Sequence, residues 1–196
     1  MHWRMMVAIM LLPTFLATPA GSAEPLLVLE RTIPLDGVAG RIDHLAIDSG
    51  RQRLLVAELG NGSVDLIDLP SGKAVRRITG LKEPQGVAWL SGPDLIAVAS
   101  AGDGTLRLFK GDGSPAGVVA LGDDADNIRV DPLTGHAIVG YGQGGLAVID
   151  AVAARKIADI RLPAHPEGFQ LRPRDRRIFV NVPDARQIAV IDLDSA

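Results

Sequence analysis

Short apolar stretches separated by glycine-containing turns recur along the chain with a constant period. One position of this pattern recurs at intervals of 42, 41 and 41 residues: His44, Gly86, Asn127 and Gly168. A second position, at which an apolar stretch closes, recurs at 42, 40 and 42 residues: Asp68, Lys110, Asp150 and Asp192. Two independent positions that share one period indicate an internal repeat.

Each repeat contains short strands joined by hairpin signals such as Asn-Gly and Ser-Gly. The predicted strands are 44–48, 53–58, 63–69 and 74–80; 86–90, 95–100, 105–110 and 116–121; 127–131, 137–141, 146–150 and 156–162; and 168–172, 177–182 and 187–193. A four-stranded unit of 41 or 42 residues is typical of a β-propeller blade. The sequence therefore predicts an all-β propeller of four consecutive blades, at about 43–81, 85–122, 126–163 and 167–196.

The fourth repeat lacks its fourth strand, and two interpretations follow. Residues 26–34 are mostly apolar or β-branched and are predicted to form a strand before the first blade. In one interpretation this strand completes blade four, and the chain closes into a four-bladed ring without open sheet edges. In the other interpretation, which we favour, the chain is the front part of a larger propeller.

The first 23 residues differ from the repeats. Residues 2–4 are weakly positive, residues 5–16 are mostly apolar, and small residues follow up to Ala23. This layout is typical of a secretory signal peptide that is cleaved after Ala23. The apolar run is shorter than the about 20 residues that span a bilayer. We therefore predict a leader at 1–23, a propeller domain at 24–196, and a periplasmic or secreted protein without a membrane anchor after cleavage.

Composition excludes several functional classes. The formal net charge is −3 and no basic block is present, which argues against nucleic-acid binding. The sequence contains no cysteine, which excludes disulfides, thiolate metal sites and cysteine nucleophiles. The glycine-rich segments 102–104 and 142–145 connect two strands with no helix after them, so they do not form phosphate-binding loops.

Two elements of the repeats resemble a known family. The second strand of the last repeat contains the sequence FVNV at 179–182, and three strands close in Ile-Asp, ending at Asp68, Asp150 and Asp192. They are similar to the YVTN repeats of YncE-like exported bacterial β-propellers, although the second repeat has Phe109 and Lys110 at the Ile-Asp position. The resemblance covers residues 26–196. It implies seven blades, and thus a partial propeller here, and a binding or scaffolding function in the periplasm.

The repeat position just before the innermost strand of a blade lies at the mouth of a propeller's central channel. Here that position has an oxygen-bearing side chain in every repeat: Asp43, Gln85, Asp126 and Glu167. His44, Asn127 and His165 lie one or two residues away, so these seven residues are the predicted ligand site. Because calcium prefers oxygen ligands, four of them also form a candidate calcium or other metal site: Asp43, Asp126, Asn127 and Glu167.

An alternative interpretation of these residues stays open. Polar side chains at strand starts also bind backbone groups of a neighbouring blade and fix the turn. The predicted function is binding of a small ligand or a periplasmic protein partner at the channel mouth, without catalysis. One alternative is a calcium-dependent hydrolase of the lactonase type. Another, by family analogy alone, is an accessory partner of a quinoprotein or cytochrome system.

Overall fold

A computed structural model describes residues 26–195, so the predicted leader lies outside the described residues. Within this range the backbone forms four antiparallel sheets in chain order. The first contains β1 (Leu45–Asp48), β2 (Arg53–Glu58), β3 (Ser63–Asp68) and β4 (Lys73–Thr79); the second contains β5 (Pro84–Leu90), β6 (Leu95–Ser100), β7 (Thr105–Lys110) and β8 (Pro115–Ala120). The third contains β9 (Ile128–Val130), β10 (Ala137–Tyr141), β11 (Gly145–Asp150) and β12 (Arg155–Arg161); the fourth contains β13 (Gly168–Arg172), β14 (Arg177–Val182) and β15 (Gln187–Asp192).

Each sheet is a meander in which consecutive strands pair, and the four sheets resemble propeller blades. The predicted all-β fold of consecutive blades is confirmed. The repetition extends to irregularities in the pairing, because the third and fourth strands of the first three blades are offset by a bulge at equivalent positions. These offsets fall at Leu66/Ile67, Leu108/Phe109 and Val148/Ile149. A bulge increases the local twist of the outer strand.

The first strand of each blade is the innermost one. Strand β1 lies beside β5, β5 beside β9, and β9 beside β13. Strand β5, with a neighbour on both sides, is largely buried, whereas Leu45 and Ile47 of β1 are more than half exposed. The last strand of each complete blade faces outward, and β4 and β12 are mostly exposed.

Three apolar cores lie between consecutive blades, because the middle strands are apolar on both faces. In β6, Ile96 and Val98 pack toward the first blade with Leu55 of β2. The alternate residues of the same strand, Ala97 and Ala99, pack toward the third blade. This two-residue alternation with both faces buried explains why the strands are nearly continuous apolar runs. A third core joins blades three and four around Ile138, Phe169 and Val180.

The structure corrects the prediction for the segment before the first blade. Residues 27–35 contain no strand, and the side chains from Leu26 to Leu29 are exposed. In the described part of the chain, residues 27–35 have no neighbouring strand to pair with, so their apolar pattern does not produce a strand. The sheet of blade four has three strands in the described part of the chain. The ring closed by strand exchange is therefore wrong for this structure.

Two of the four innermost strands are shorter than predicted, whereas β5 begins two residues earlier and β13 has the predicted bounds. His44 precedes β1, and β9 is limited to Ile128–Val130 rather than 127–131. Residues 26–32 and residues 33–195 belong to separate compact units, and all fifteen strands lie in the second. None of the helices found between residues 26 and 195 has the length and apolar character needed to span a membrane.

Candidate ligand site at the channel mouth

Residues at the start of the innermost strands, or just before them, surround one cavity of about 370 Å³. Six of the seven predicted site residues line it, and His165 does not. The lining consists of Arg41, Ile42, Asp43, His44, Gln85, Asp126, Asn127 and Glu167. The structure thus brings the four repeat-equivalent positions of the four blades to one place, as their register predicts. Their binding of a ligand stays a prediction.

Backbone pairing continues beyond the innermost strands and fixes these residues. The backbone N–H of Asp43 donates to the carbonyl of Ala57 at 2.8 Å, and the N–H of Ala57 donates to the carbonyl of His44 at 2.9 Å. Both partners in blade one are thereby held against the end of β2. Backbone hydrogen bonds therefore fix the residues just before an innermost strand in the same way as the residues within it.

The third and fourth blades repeat this arrangement. The N–H of Asp126 donates to the carbonyl of Gly140 at 2.9 Å, and the N–H of Gly140 donates to the carbonyl of Asn127 at 3.0 Å. In blade four the N–H of Glu167 donates to the carbonyl of Asn181 at 3.1 Å. The same pair of backbone hydrogen bonds thus fixes the mouth residues of blades one and three, and one bond of the pair is present in blade four.

Three different contacts join neighbouring blades at this level. The N–H of His44 donates to the carbonyl of Gln85 at 3.3 Å between blades one and two. Between blades two and three the backbones come so close that a Cβ on Gly86 would lie 2.0 Å from the carbonyl oxygen of Asp126. Between blades three and four, Nδ2 of Asn127 donates to the carbonyl of Glu167 at 2.8 Å. The amide of Asn127 therefore has a structural role.

Asp126 is the most unusual side chain of the site. It is only 7% exposed, and its Oδ1 is buried without a hydrogen-bond partner among the described residues. Burial raises the pKa of Asp126 above its ordinary value. Charges on His44 and His165 lower it, and those on Asp43 and Asp124 raise it, but burial dominates. A carboxylate left without a donor in such a position is unfavourable for folding.

The other side of the mouth is more exposed and partly paired. Arg41 Nη2 donates to Asp43 Oδ2 at 2.7 Å, and the Arg41 side chain is 64% exposed. His44 Nδ1 lies 3.0 Å from Asp43 Oδ1 but without hydrogen-bond geometry. Asp43 is thus the one carboxylate of the cavity with a permanent cationic partner within residues 26–195.

His165 is oriented by the neighbouring loop. Its Nδ1 lies 2.6 Å from the carbonyl oxygen of Gly142. A carbonyl can only accept a hydrogen bond, so Nδ1 carries the proton. The same nitrogen lies 3.6 Å from Asp124 Oδ2. His165 therefore lies outside the lining of the cavity, and the loop at Gly142 fixes the position of its ring.

Arg129 is a residue of the site that the sequence analysis missed. Its Nη1 donates to Asn127 Oδ1 at 3.0 Å and to the carbonyl of Ile128 at 2.7 Å, and its guanidinium lies 5.6 Å from the Phe169 ring centre. Burial lowers the pKa of Arg129, and the charge of Asp126 opposes this change. The equivalent positions of blades one and two hold alanine, Ala46 and Ala88. This departure from the repeat, an arginine where the first two blades have alanine, could have identified Arg129 from the sequence.

A second cavity of about 360 Å³ adjoins the first and shares three lining residues with it: His44, Asn127 and Glu167. Its remaining lining is Arg129, Gly168, Phe169, Gln170, Phe179, Asn181 and Ile188. Two aromatic rings and one aliphatic side chain make this cavity more apolar than the mouth. The mouth therefore has an acidic compartment and an apolar one next to it.

The predicted metal site receives no support from the side-chain arrangement. Between residues 26 and 195, no three His, Asp or Glu side chains are grouped closely enough to hold a metal ion. Asn127, one of the four predicted ligands, already uses its amide nitrogen and oxygen within the fold. The calcium site at Asp43, Asp126, Asn127 and Glu167 stays a prediction.

Comparisons with known proteins relate this chain to solved structures by fold. Kuenenia stuttgartiensis hydrazine synthase has a TM-score of 0.74 at 16% identity, with 86% of this chain and 50% of that chain covered. The computationally designed Ika4 protein has a TM-score of 0.68 at 15% identity, with 84% and 99% covered. The chain thus spans half the length of the hydrazine synthase chain. No protein-family match and no match among curated proteins is found. Identities this low show the fold alone.

Proposed function

We propose that this chain is an exported β-propeller that binds a small ligand in the cavity at its channel mouth. Export depends on the predicted leader at 1–23. The cavity, at about 370 Å³, lies in the size range of small-molecule sites, about 300–1,000 Å³. Four blades each contribute at least one polar side chain to it, so a bound ligand would contact the whole described arc of the ring.

The observation that carries the proposal is the unpartnered carboxylate of Asp126. The neighbouring Asn127 shows what a structural polar residue looks like at this level, since both ends of its amide have partners. Asp126 Oδ1 is equally enclosed but has no donor within the described chain. Asp126 also lines the cavity, so a ligand that donates a hydrogen bond to its carboxylate would offset part of the cost of burying it, and this gain would add to its affinity.

A blocking variant tests the proposal without assuming the ligand's charge. Glu167 lines the cavity and is itself exposed, so Glu167→Trp should fill the cavity while leaving the fold intact. Arg174 lies in an exposed turn of the same blade, before β14, and Arg174→Trp is the matched control. Ligand-observed NMR with a mixed library of neutral, anionic and cationic small molecules would compare the two variants with the parent protein.

We expect compounds that bind the parent and Arg174→Trp but no longer bind Glu167→Trp. A library in which no compound binds the parent would refute the proposal. Hits that bind Glu167→Trp equally well would place binding elsewhere on the protein and would also refute it.

We keep the YVTN-type affiliation and the seven-bladed parent ring as part of the proposal. The FVNV strand at 179–182 and the Ile-Asp strand ends support them. The hydrolase and the accessory partner of a redox system, both alternatives from the sequence, have no specific observation in their favour.

A further inference from the structure

The charges of the mouth cavity do not balance. Its lining contains three carboxylates, on Asp43, Asp126 and Glu167, and one permanent cation, Arg41. The Arg41 guanidinium is used by Asp43 at 2.7 Å. Neither Asp126 nor Glu167 makes an ion pair with any other residue in the range 26–195. Asp126 and Glu167 therefore line the cavity without an ion pair, and Arg129, whose charge acts on Asp126, lines the adjoining cavity.

The two unpaired carboxylates differ in exposure, and this suits a single bound donor group. Asp126 is buried, whereas Glu167 is exposed. A group that carries a positive charge and several N–H donors could bind the Asp126 carboxylate where it lines the cavity while it remains next to Glu167. An ammonium group has three donors and no acceptor, and hydrogen bonds between ions are stronger than those between neutral groups.

The adjoining cavity indicates what the rest of the ligand is like. This cavity is lined by His44, Asn127 and Glu167 where it meets the mouth cavity, and by Phe169 and Phe179 beyond them. One face of each ring is occupied by an arginine, with Arg129 5.6 Å from Phe169 and Arg172 5.0 Å from Phe179. Phe169 is buried, so the accessible apolar lining consists of Phe179 and Ile188, which suit a hydrocarbon or aryl group rather than a second charge.

A bare metal ion fits this arrangement less well. Calcium takes six to eight oxygen ligands, and the described side chains provide no cluster of three acidic or histidine groups. An ammonium group needs only two or three acceptors, and these do not have to converge on one point.

We propose that the ligand is a small organic cation, a protonated amine with an apolar group, whose ammonium binds between Asp126 and Glu167 and whose apolar part lies toward Phe179 and Ile188. This inference rests on the proposed function and specifies its ligand class. It concerns equilibrium binding and involves no chemical step.

Isothermal titration calorimetry with the purified protein at low ionic strength tests the charge requirement. The probes are benzylammonium, neutral benzyl alcohol and anionic benzoate, which share an aryl ring and differ in charge. Benzylammonium should bind at least about tenfold more tightly than benzyl alcohol, as expected for a hydrogen bond to a charged group. Benzoate should bind more weakly than either.

Two variants assign the effect to the two carboxylates. Asp126→Asn keeps the shape and should weaken benzylammonium at least about tenfold while leaving benzyl alcohol unchanged. Glu167→Gln, at an exposed position where folding is not at risk, should weaken it several-fold. Asp112→Asn is the control, because Asp112 is a fully exposed carboxylate in the β7–β8 turn whose Oδ1 the substitution retains.

A thermal melt separates a ligand role from a structural one. If Asp126 holds the fold together, Asp126→Asn lowers the melting temperature, and the ligand inference is overturned. If the fold merely tolerates the buried charge, the melting temperature stays or rises while benzylammonium binding is lost, as we expect.

The failure of this inference can be distinguished from the failure of the proposed function. Equal binding of the three probes, or tight binding of calcium chloride with no binding of benzylammonium, overturns the organic-cation class. The proposed function survives that result if Glu167→Trp still removes binding. The proposed function fails only if the mixed library contains no compound that binds the parent protein and loses binding in Glu167→Trp.

Discussion

Gly86 offers the sharpest test of how the blades meet at the mouth. It is buried in β5, and a Cβ added there would lie 2.0 Å from the carbonyl oxygen of Asp126 and 3.0 Å from Ile128 Cγ1. The first neighbour is backbone that is tied to Gly140, so it cannot rotate away as a side chain would. Gly86→Ala must therefore separate blades two and three locally.

The size of the effect follows from the distance. An ordinary contact needs about 3.5 Å between heavy atoms, so the carbonyl of Asp126 would have to move by roughly 1.5 Å. Overpacking of a well-packed interior costs about 1–3 kcal/mol, and a rigid backbone neighbour places this substitution near 3 kcal/mol. For a protein of this size each kcal/mol lowers the melting temperature by about 2–4 °C, which gives about 6–12 °C.

Gly168 provides a matched control at the same repeat position. A Cβ there would meet no heavy atom within 4 Å, and its φ is not in the left-handed region. Gly168→Ala should be neutral, or stabilising by up to about 1 kcal/mol, because alanine restricts the unfolded chain. Far-UV circular dichroism melts of both variants measure the difference. Equal melting temperatures for the two variants would refute the close approach as the reason for glycine at position 86.

Three further outcomes are expected in urea unfolding. Arg77→Ala should lower the free energy of unfolding by about 3–5 kcal/mol, because the fully buried Asp65 loses two hydrogen bonds, at 2.7 and 2.6 Å; a loss under about 1 kcal/mol would contradict this role. Burial raises the pKa of Glu58, so its contribution is full below the unfolded value, about 4.3, and is lost as pH rises through the folded value. Parent stability should fall across that window relative to Glu58→Gln, and parallel pH profiles would contradict the shift. Burial alone would raise the pKa of Asp131, but hydrogen bonds, one from Arg176, lower it. Asp131→Ala should therefore destabilise by about 2–3 kcal/mol near neutral pH, and this effect should vanish as pH falls through the lowered pKa; a constant difference down to strongly acidic pH would oppose it.

Most strands were predictable because their apolar runs and turn residues repeat with one period. Strand β2 at Arg53–Glu58 and strand β14 at Arg177–Val182 have the predicted bounds. The segment 26–34 was predicted wrongly, since an apolar composition shows the tendency to form a strand but not the presence of a partner to pair with. The leucines of this segment give it a strand-like composition, but they are exposed and belong to no sheet.

The position of the site was predictable, but its internal chemistry was not. Repeat register alone brings Asp43, Gln85, Asp126 and Glu167 to one cavity, because equivalent residues of equivalent blades lie at equal distances from a common axis. Register does not distinguish Asn127, which joins two blades, from Asp126, which has an atom without a partner. That difference depends on which backbone carbonyl or side chain lies within reach, and on the burial of each atom.

The unequal junctions between the innermost strands have a consequence for how a ligand enters. At the mouth the first junction has a backbone hydrogen bond and the second has a close approach of two backbones, whereas the third has side-chain contacts, from Asn127 to Glu167 and from Arg129 to Phe169. We therefore expect local opening of the mouth to begin at this third junction, because side-chain contacts rearrange more easily than backbone contacts. This junction lies where the two cavities meet, so its transient opening would admit a ligand without moving the first three blades.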